Sequence, residues 1–368
     1  MKVVPPISIG TSNVYASNVQ IPTASTLWVS GTPYLVNDRV LVSSNNSVYR
    51  CVRDTVPSVE TISPDANVTE KNPYWINEGP RAWGSGTYSP GQIVTRVSTG
   101  RNYICLLNTG PVSATPPENL LAGVTIYWAD IGANNIMSMF ELSRNMATKS
   151  TLDNGTSIVV ELTLAQRADT LALTGLKNAS KYRFQVYSDE TKSTLLFDSD
   201  YILLPGRETV SWYEYFFAPL KSKPSTVLTG FVLPSTSHVV ITIEGNNVQC
   251  SAVILGVGQE LGPVQRGASN DAINFSKIER DTFGNANLIP RRSVPKTNQT
   301  ILADAARLNT IRRIRDDLNA EVALWIGLQD LDDQPYFESL LILGVYKQFS
   351  IQLDNPAYPI ISLELEEV

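Results

Sequence analysis

The sequence predicts a mainly β protein, and three observations carry that prediction. A small strand-turn-strand unit occurs twice near the N-terminus, seven or eight short apolar or alternating runs follow, and one amphipathic helical pattern stands between further strand runs near the end. At 368 residues the chain has room for about two to four domains. With 43% hydrophobic and 17% charged residues it can bury real cores. The expected division is an N-terminal extension at 1–20, two β-modules at 21–80 and 81–136, an antiparallel β-sandwich at 137–260, and an extended arm with an α+β domain at 261–368.

The repeat comes first. Residues 34–51 read YLVNDRVLVSSNNSVYRC and residues 88–105 read YSPGQIVTRVSTGRNYIC. Tyr34 and Tyr88, Tyr49 and Tyr103, and Cys51 and Cys105 are each 54 residues apart; Trp75 and Trp128 are 53 apart, and Trp28 and Trp83 are 55 apart. Landmarks held within one residue make this a tandem duplication. Each copy reads as a hairpin, with alternation in RVLV and QIVTRV, turns at 43–47 and 98–101, and a Pro-containing loop returning to the final Trp. Units so small bury little, so their tryptophans and tyrosines must supply most of the core. Cys51 and Cys105 sit at matching places and are expected to be free thiols filling that core, with Cys250 a third that the odd count leaves over.

Trp83, Gly86, Tyr88, Gly91, Val94, Gly100, Tyr103, Pro116, Pro117, Trp128 and Gly132 spell a pattern that resembles the small chitin-binding-type carbohydrate-binding modules of glycoside hydrolases. The first copy keeps Trp28, Gly31, Tyr34, Val40, Tyr49, Trp75 and Gly79 but carries Asn37 and Asn45–Asn46 at its turns. The resemblance covers 21–134 and implies a host-surface glycan as partner, held by exposed aromatics drawn from Trp28, Tyr34, Trp83 and Tyr88. Sugar faces stack on flat rings, yet the positions that would carry the platform read CVRDT and CLLNT, with no aromatic in either. Spacers or docking pads are therefore the expected role.

Downstream, TSIVVELTL, DTLALTGL, KYRFQVYS, TLLFDSDYIL, TVSWYEYFF, HVVITIEG and CSAVILGVG are strand-like runs split by Asn, Gly, Asp or Pro turns, which predicts a jelly-roll-like sandwich. WYEYFF holds more aromatics than one strand face needs, and reads either as a core layer or as an exposed patch awaiting a partner. Residues 262–298 form a long Gly/Asn-rich charged stretch of little periodicity, expected to be an extended arm. An amphipathic helix is expected next, with Ile301, Ala305, Leu308, Ile311 and Leu318 on one side; EVALWIGL, ESLLILGVYKQFSIQL and IISLELEEV then supply the strands on which it packs.

The succession GPVQRGAS, RDTFGN, IPRRS, helix, ALWIG, ESLLILGVYKQFSI and SLELEEV resembles tail-tip or baseplate proteins of tailed bacteriophages over 137–368. It implies an oligomeric structural component of the virion tail, assembled in the host cytoplasm as a ring or trimer with tube, hub or other baseplate subunits. Trp212, Tyr213, Tyr215, Phe216, Phe283, Arg291 and Arg292 are the candidate assembly contacts.

Other classes are excluded on composition. A net charge of −6 argues against a nucleic-acid partner, and the basic positions 291, 292, 296, 307, 312, 313 and 315 have no aromatics interleaved between Phe283 and Trp325. Those cations are expected to meet carboxylates. The longest clean apolar run, 252–258, is far short of the ~20 residues a membrane helix needs. MKVVPPISIG has no apolar signal core. No metal site or cofactor is expected: the one histidine, His238, reads as a surface or strand-end residue, and Asp330, Asp332 and Asp333 as a solvated acidic turn. Nor do Glu141, Glu161, Glu208 and Glu214 form a recognisable pair, so no enzyme activity is expected.

Overall fold

A computed structural model describes the chain except residues 25, 144–145, 151–154, 207–210, 218–220, 281, 329–336 and 354–357, and the side chains at 205, 206, 214, 215 and 221. The fold is mainly β and its sheets are antiparallel throughout.

Each repeat is a three-stranded sheet, Arg39–Val42, Ser47–Cys51 and Trp75–Pro80 in the first copy, Ile93–Arg96, Arg101–Cys105 and Trp128–Ala133 in the second. The cores match: Tyr34, Tyr49, Cys51 and Trp75 pack together in one, Tyr103, Cys105 and Trp128 in the other. Asn37 (φ 75°) takes the left-handed backbone that Gly91 (φ 89°) supplies, and Asn46 (φ 56°) that of Gly100 (φ 69°), which asparagine tolerates better than other side chains. On the opposite sheet face the copies diverge. Glu78, its side chain fully buried, lies 2.9 Å from Arg39 Nε and 2.9 Å from Arg50 Nε. The equivalent positions 93, 104 and 131 are all isoleucine.

The rest of the chain is a stack of three sheets and a helix. The first sheet runs Leu195–Asp198, Lys177–Tyr187, Ser237–Cys250, Ser157–Leu164 and Val14–Ser17. It buries Leu162, Phe184, Val239 and Ile241 against Leu171, Leu173, Phe231 and Leu255 of a second sheet made of Ser225–Leu233, Ala168–Thr174 and Ala252–Gly256. The far side of this middle sheet, through Ala172, Val227, Ala252 and Ile254, packs on Leu324, Ile326, Leu341 and Leu343 of the third. That third sheet carries Trp325, Ile342, Ile361 and Leu363 on its outer face, where the Leu308–Asp317 helix lays Ile311 and Ile314.

Several expectations need correction. Residues 1–20 are not set apart: Lys2–Val4 pairs with Ala323–Ile326 in the third sheet, and Val14–Ser17 pairs with Ser157–Leu164 in the first. WYEYFF is helical, Trp212–Phe217, rather than a strand, and Ser225–Leu233 is a strand that the runs above omit. Ile301 belongs to the strand Ser293–Leu302, not to the helix, and Ala305 is exposed. The boundary falls at Asp304, whose carboxylate accepts a hydrogen bond from Ala306 N–H at 2.9 Å, a helix-start contact. The arm is ordered as a ribbon: Ser269–Asn274 pairs with 293–298, and Lys277–Arg280 pairs with Ala286–Ile289.

Removing one partner of a buried charge set costs about 3–5 kcal/mol, whereas replacing the whole set with packed apolar groups is neutral to stabilising. Glu78→Ala should therefore lower the unfolding midpoint of the first module in urea melts, and the triple variant Arg39→Ile/Arg50→Ile/Glu78→Ile should restore or exceed it. A triple variant less stable than Glu78→Ala would show that the charges do more than fill space.

Candidate assembly surfaces

Of the four aromatics expected to face a sugar, Tyr34 lies in a module core and the other three pack against one. Tyr34 is buried, and Trp28, Trp83 and Tyr88 are half-buried against the cores. Tyr34 packs edge-on to Trp75 at 5.2 Å between ring centres, and Tyr88 to Trp128 at 5.4 Å. The hydroxyls are spent on the opening loops: Tyr34 Oη accepts from Val29 N–H at 2.8 Å, and Tyr88 Oη donates to Gly84 O at 2.9 Å. The Trp83 ring is covered by the Arg96 guanidinium 4.7 Å above it, which Glu118 grips at 2.6 Å. What the modules expose is aliphatic, including Leu27, Val29, Leu35, Leu106, Leu107 and Ile131.

A short helix and the ribbon project apolar side chains into solvent. The first is the Trp212–Phe217 helix, where Trp212, Tyr213, Phe216 and Phe217 are exposed; the Tyr215 side chain lies outside the described residues, as does the acidic stretch 330–334. The second is the ribbon, which exposes Phe275, Ile278 and Leu288 along its length and Phe283, 89% accessible, at its tip. Pro290 lacks an N–H, and at this break Ser276 Oγ bridges the strands, accepting from Arg291 N–H at 2.9 Å and donating to Arg291 O at 3.1 Å. Arg292 turns back to Glu367 at 2.6 Å and anchors the ribbon to the last strand. Lys296, Arg307, Arg312 and Arg315 likewise meet Glu364, Glu260 and Asp316 of the same chain. A cleft of about 310 Å³ at the ribbon root is lined by Asp271, Pro295, Glu338, Ile342 and Glu367.

His238 lies at the start of the strand Ser237–Cys250, a strand end as expected, but it is fully buried rather than on the surface. Its Nε2 lies 3.0 Å from Glu161 Oε2, its ring meets Tyr15 edge-on at 5.1 Å, and Nδ1 has no hydrogen-bond partner among the described residues. Lys192 Nζ reaches the other Glu161 oxygen at 2.7 Å. This grouping was invisible in sequence because its members come from distant strands and one loop. None of the residues lining the ribbon-root cleft belongs to this grouping, and no cluster of three potential metal ligands occurs among the described residues. Glu141 pairs with Arg101, while Glu208 and the Glu214 side chain lie outside the described residues. Comparison with protein-family models, curated proteins and solved structures found no match to this chain.

Burial pushes the Glu161 carboxyl up, but the hydrogen bonds from Lys192 and His238 outweigh it and hold the group below its ordinary value. A depressed carboxyl contributes stability that is present above its unfolded pKa of about 4.3 and lost as pH falls through the folded value. Glu161→Gln should be less stable than wild type at neutral pH in urea melts, with the gap closing in acid. A constant gap across that range would mean that the ionised carboxylate is not what matters.

Proposed function

We propose that this chain is a structural subunit of a bacteriophage tail tip or baseplate, built into the distal end of the tail beside other tail proteins and further copies of itself. The observation that carries this reading is the ribbon. An isolated two-stranded ribbon is marginal in water, and open strand edges invite pairing. Here Lys277–Arg280 and Ala286–Ile289 make such a two-stranded ribbon, prolonging the exposed edge strand Ser269–Asn274 of the third sheet, and its Ile278 and Leu288 are exposed. Such an element makes sense when a neighbouring subunit covers it. The phage-like phrases over 137–368 supply the setting, and the aliphatic module surfaces fit docking pads better than sugar platforms.

The reading is tested in particles. Mass spectrometry and immunogold labelling of density-purified virions from a host making the chain should find it at the tail's distal end. An Ile278→Ser/Phe283→Ser/Leu288→Ser variant should keep its circular dichroism but enter particles about tenfold less, the equivalent of about 1.4 kcal/mol. A chain confined to the soluble lysate would overturn the assignment, and full incorporation of the variant would remove the ribbon from it.

A further inference from the structure

Of the six tryptophans, Trp75, Trp128 and Trp325 are fully buried and Trp28 and Trp83 half-buried, but Trp212 is 79% exposed. Its companions on the short helix are exposed as well: Tyr213 at 73%, Phe216 at 64% and Phe217 at 71%. At 100° per residue these four positions fall within an arc of about 140°. The rings touch one another, Trp212 stacking on Phe216 at 6.4 Å and Tyr213 lying 5.0 Å from Phe217, so they form one plate. Flanking it in the sequence, Pro205–Gly206 pairs with Lys221–Ser222, and among the described residues the helix has no extensive packing on the three stacked sheets.

We propose that this plate is a bilayer-contact site, whose rings enter the boundary between the headgroups and acyl chains of a phospholipid membrane. Ring chemistry is the first argument. Tryptophan and tyrosine pair an apolar body with a polar tip and concentrate at that boundary, and phenylalanine adds apolar area beneath. Area is the second. An aromatic side chain buries ~150–250 Å², so four at these exposures offer on the order of 400–700 Å², below the ~800 Å² per partner of a stable protein interface. A second copy docking here alone would be under-supplied, whereas a fluid bilayer accepts each ring separately. Backbone chemistry is the third. A segment that leaves water altogether must bond all of its backbone internally. Six residues leave both ends unbonded internally, so the contact stays at the interface and does not cross.

The flanking charges are nearly balanced, with Arg207, Lys221 and Lys223 against Glu208 and Glu214. Ring insertion, rather than attraction to anionic lipid, therefore supplies the affinity, and zwitterionic phosphatidylcholine suffices. The site is independent of the tail assignment, because the test uses the purified chain rather than particles.

In a flotation assay the full chain should rise with phosphatidylcholine vesicles whether or not phosphatidylglycerol is added. Binding should shift tryptophan emission to the blue, with quenching by bromine-labelled lipid. Trp212→Ser/Phe216→Ser/Phe217→Ser should keep the wild-type circular dichroism and float at least about tenfold less. Trp212→Phe should still float but lose the emission shift and the quenching, because the other tryptophans are buried or half-buried in the fold. Several results would overturn the proposal: no flotation of wild type, equal flotation of the triple variant, or flotation only with phosphatidylglycerol. So would light scattering that gives a dimer for wild type and the 40.4 kDa monomer for the variant, which would make the plate a protein interface.

Discussion

The strands Ser225–Leu233, Ala168–Thr174 and Ala252–Gly256 form a sheet with a packed layer on each side, and the arrangement of the remaining layers follows from that. Large side chains, Leu171, Leu173 and Leu255, fill the space toward the sandwich partner. The smaller Ala172 and Ala252 face Leu324, Ile326 and Leu343 of the third sheet. A sheet buried on both faces cannot lose either neighbour without opening a broad apolar surface to water, at roughly 25 cal/mol per Å². The sandwich and the α+β part are therefore one body. Lys2–Val4 closes the join, with Val3 in the helix-side core and Val4 against the middle sheet. Its path needs Gly256, because a Cβ there would stand 2.2 Å from Pro5 O.

The duplicated modules show how one backbone accommodates different surroundings. In the first copy the 43–46 turn plugs into the second: Asn46 Nδ2 donates to Ile93 O at 2.8 Å, and Ile93 N–H donates to Asn45 O at 3.0 Å. In the second copy the same turn lies on the start of the sandwich, where Thr11 Oγ1 donates to Ser98 O at 3.2 Å. Here a side chain would collide, since a Cβ on Gly100 would sit 2.5 Å from Met137 Cγ. Asparagine and glycine thus solve the same left-handed turn, one by making the contact and the other by leaving room for it. The Arg39, Arg50 and Glu78 set against three isoleucines is a second such pair of solutions, with hydrogen-bonded charge in one copy and apolar volume in the other.

Legibility followed burial. Ser157–Leu164 and Ile360–Glu367 alternate strictly between more and less buried positions, so their sequences carry the two-residue period plainly. Ser269–Asn274 has no buried residue, so nothing selected such a period, and it read as loop. WYEYFF is too short to display a helical period, and its tyrosines and phenylalanines favour strands by propensity; the six residues were misread for both reasons. Strands of three or four residues such as Lys2–Val4 and Val14–Ser17 gain their stability from partners far along the chain, which no local pattern records. Of the candidate site residues, composition identified the exposed aromatics but could not separate display from burial. Trp83 and Trp212 look alike in sequence, and only packing puts Arg96 over one and leaves the other in solvent.

The two projections expose apolar groups by different means, and the difference constrains what can cover each. The ribbon presents open backbone edges along with Ile278 and Leu288, so its cover has to offer hydrogen-bond donors and acceptors in register, which a protein strand or loop does and a hydrocarbon does not. The aromatic helix presents rings rather than a strand edge, so its cover need offer no register at all. A monomer that kept both in water would gain nothing from either, since neither the rings nor the ribbon contributes to the stacked core. Their retention outside the buried cores fits two separate contacts, one read by backbone pairing and the other by partition.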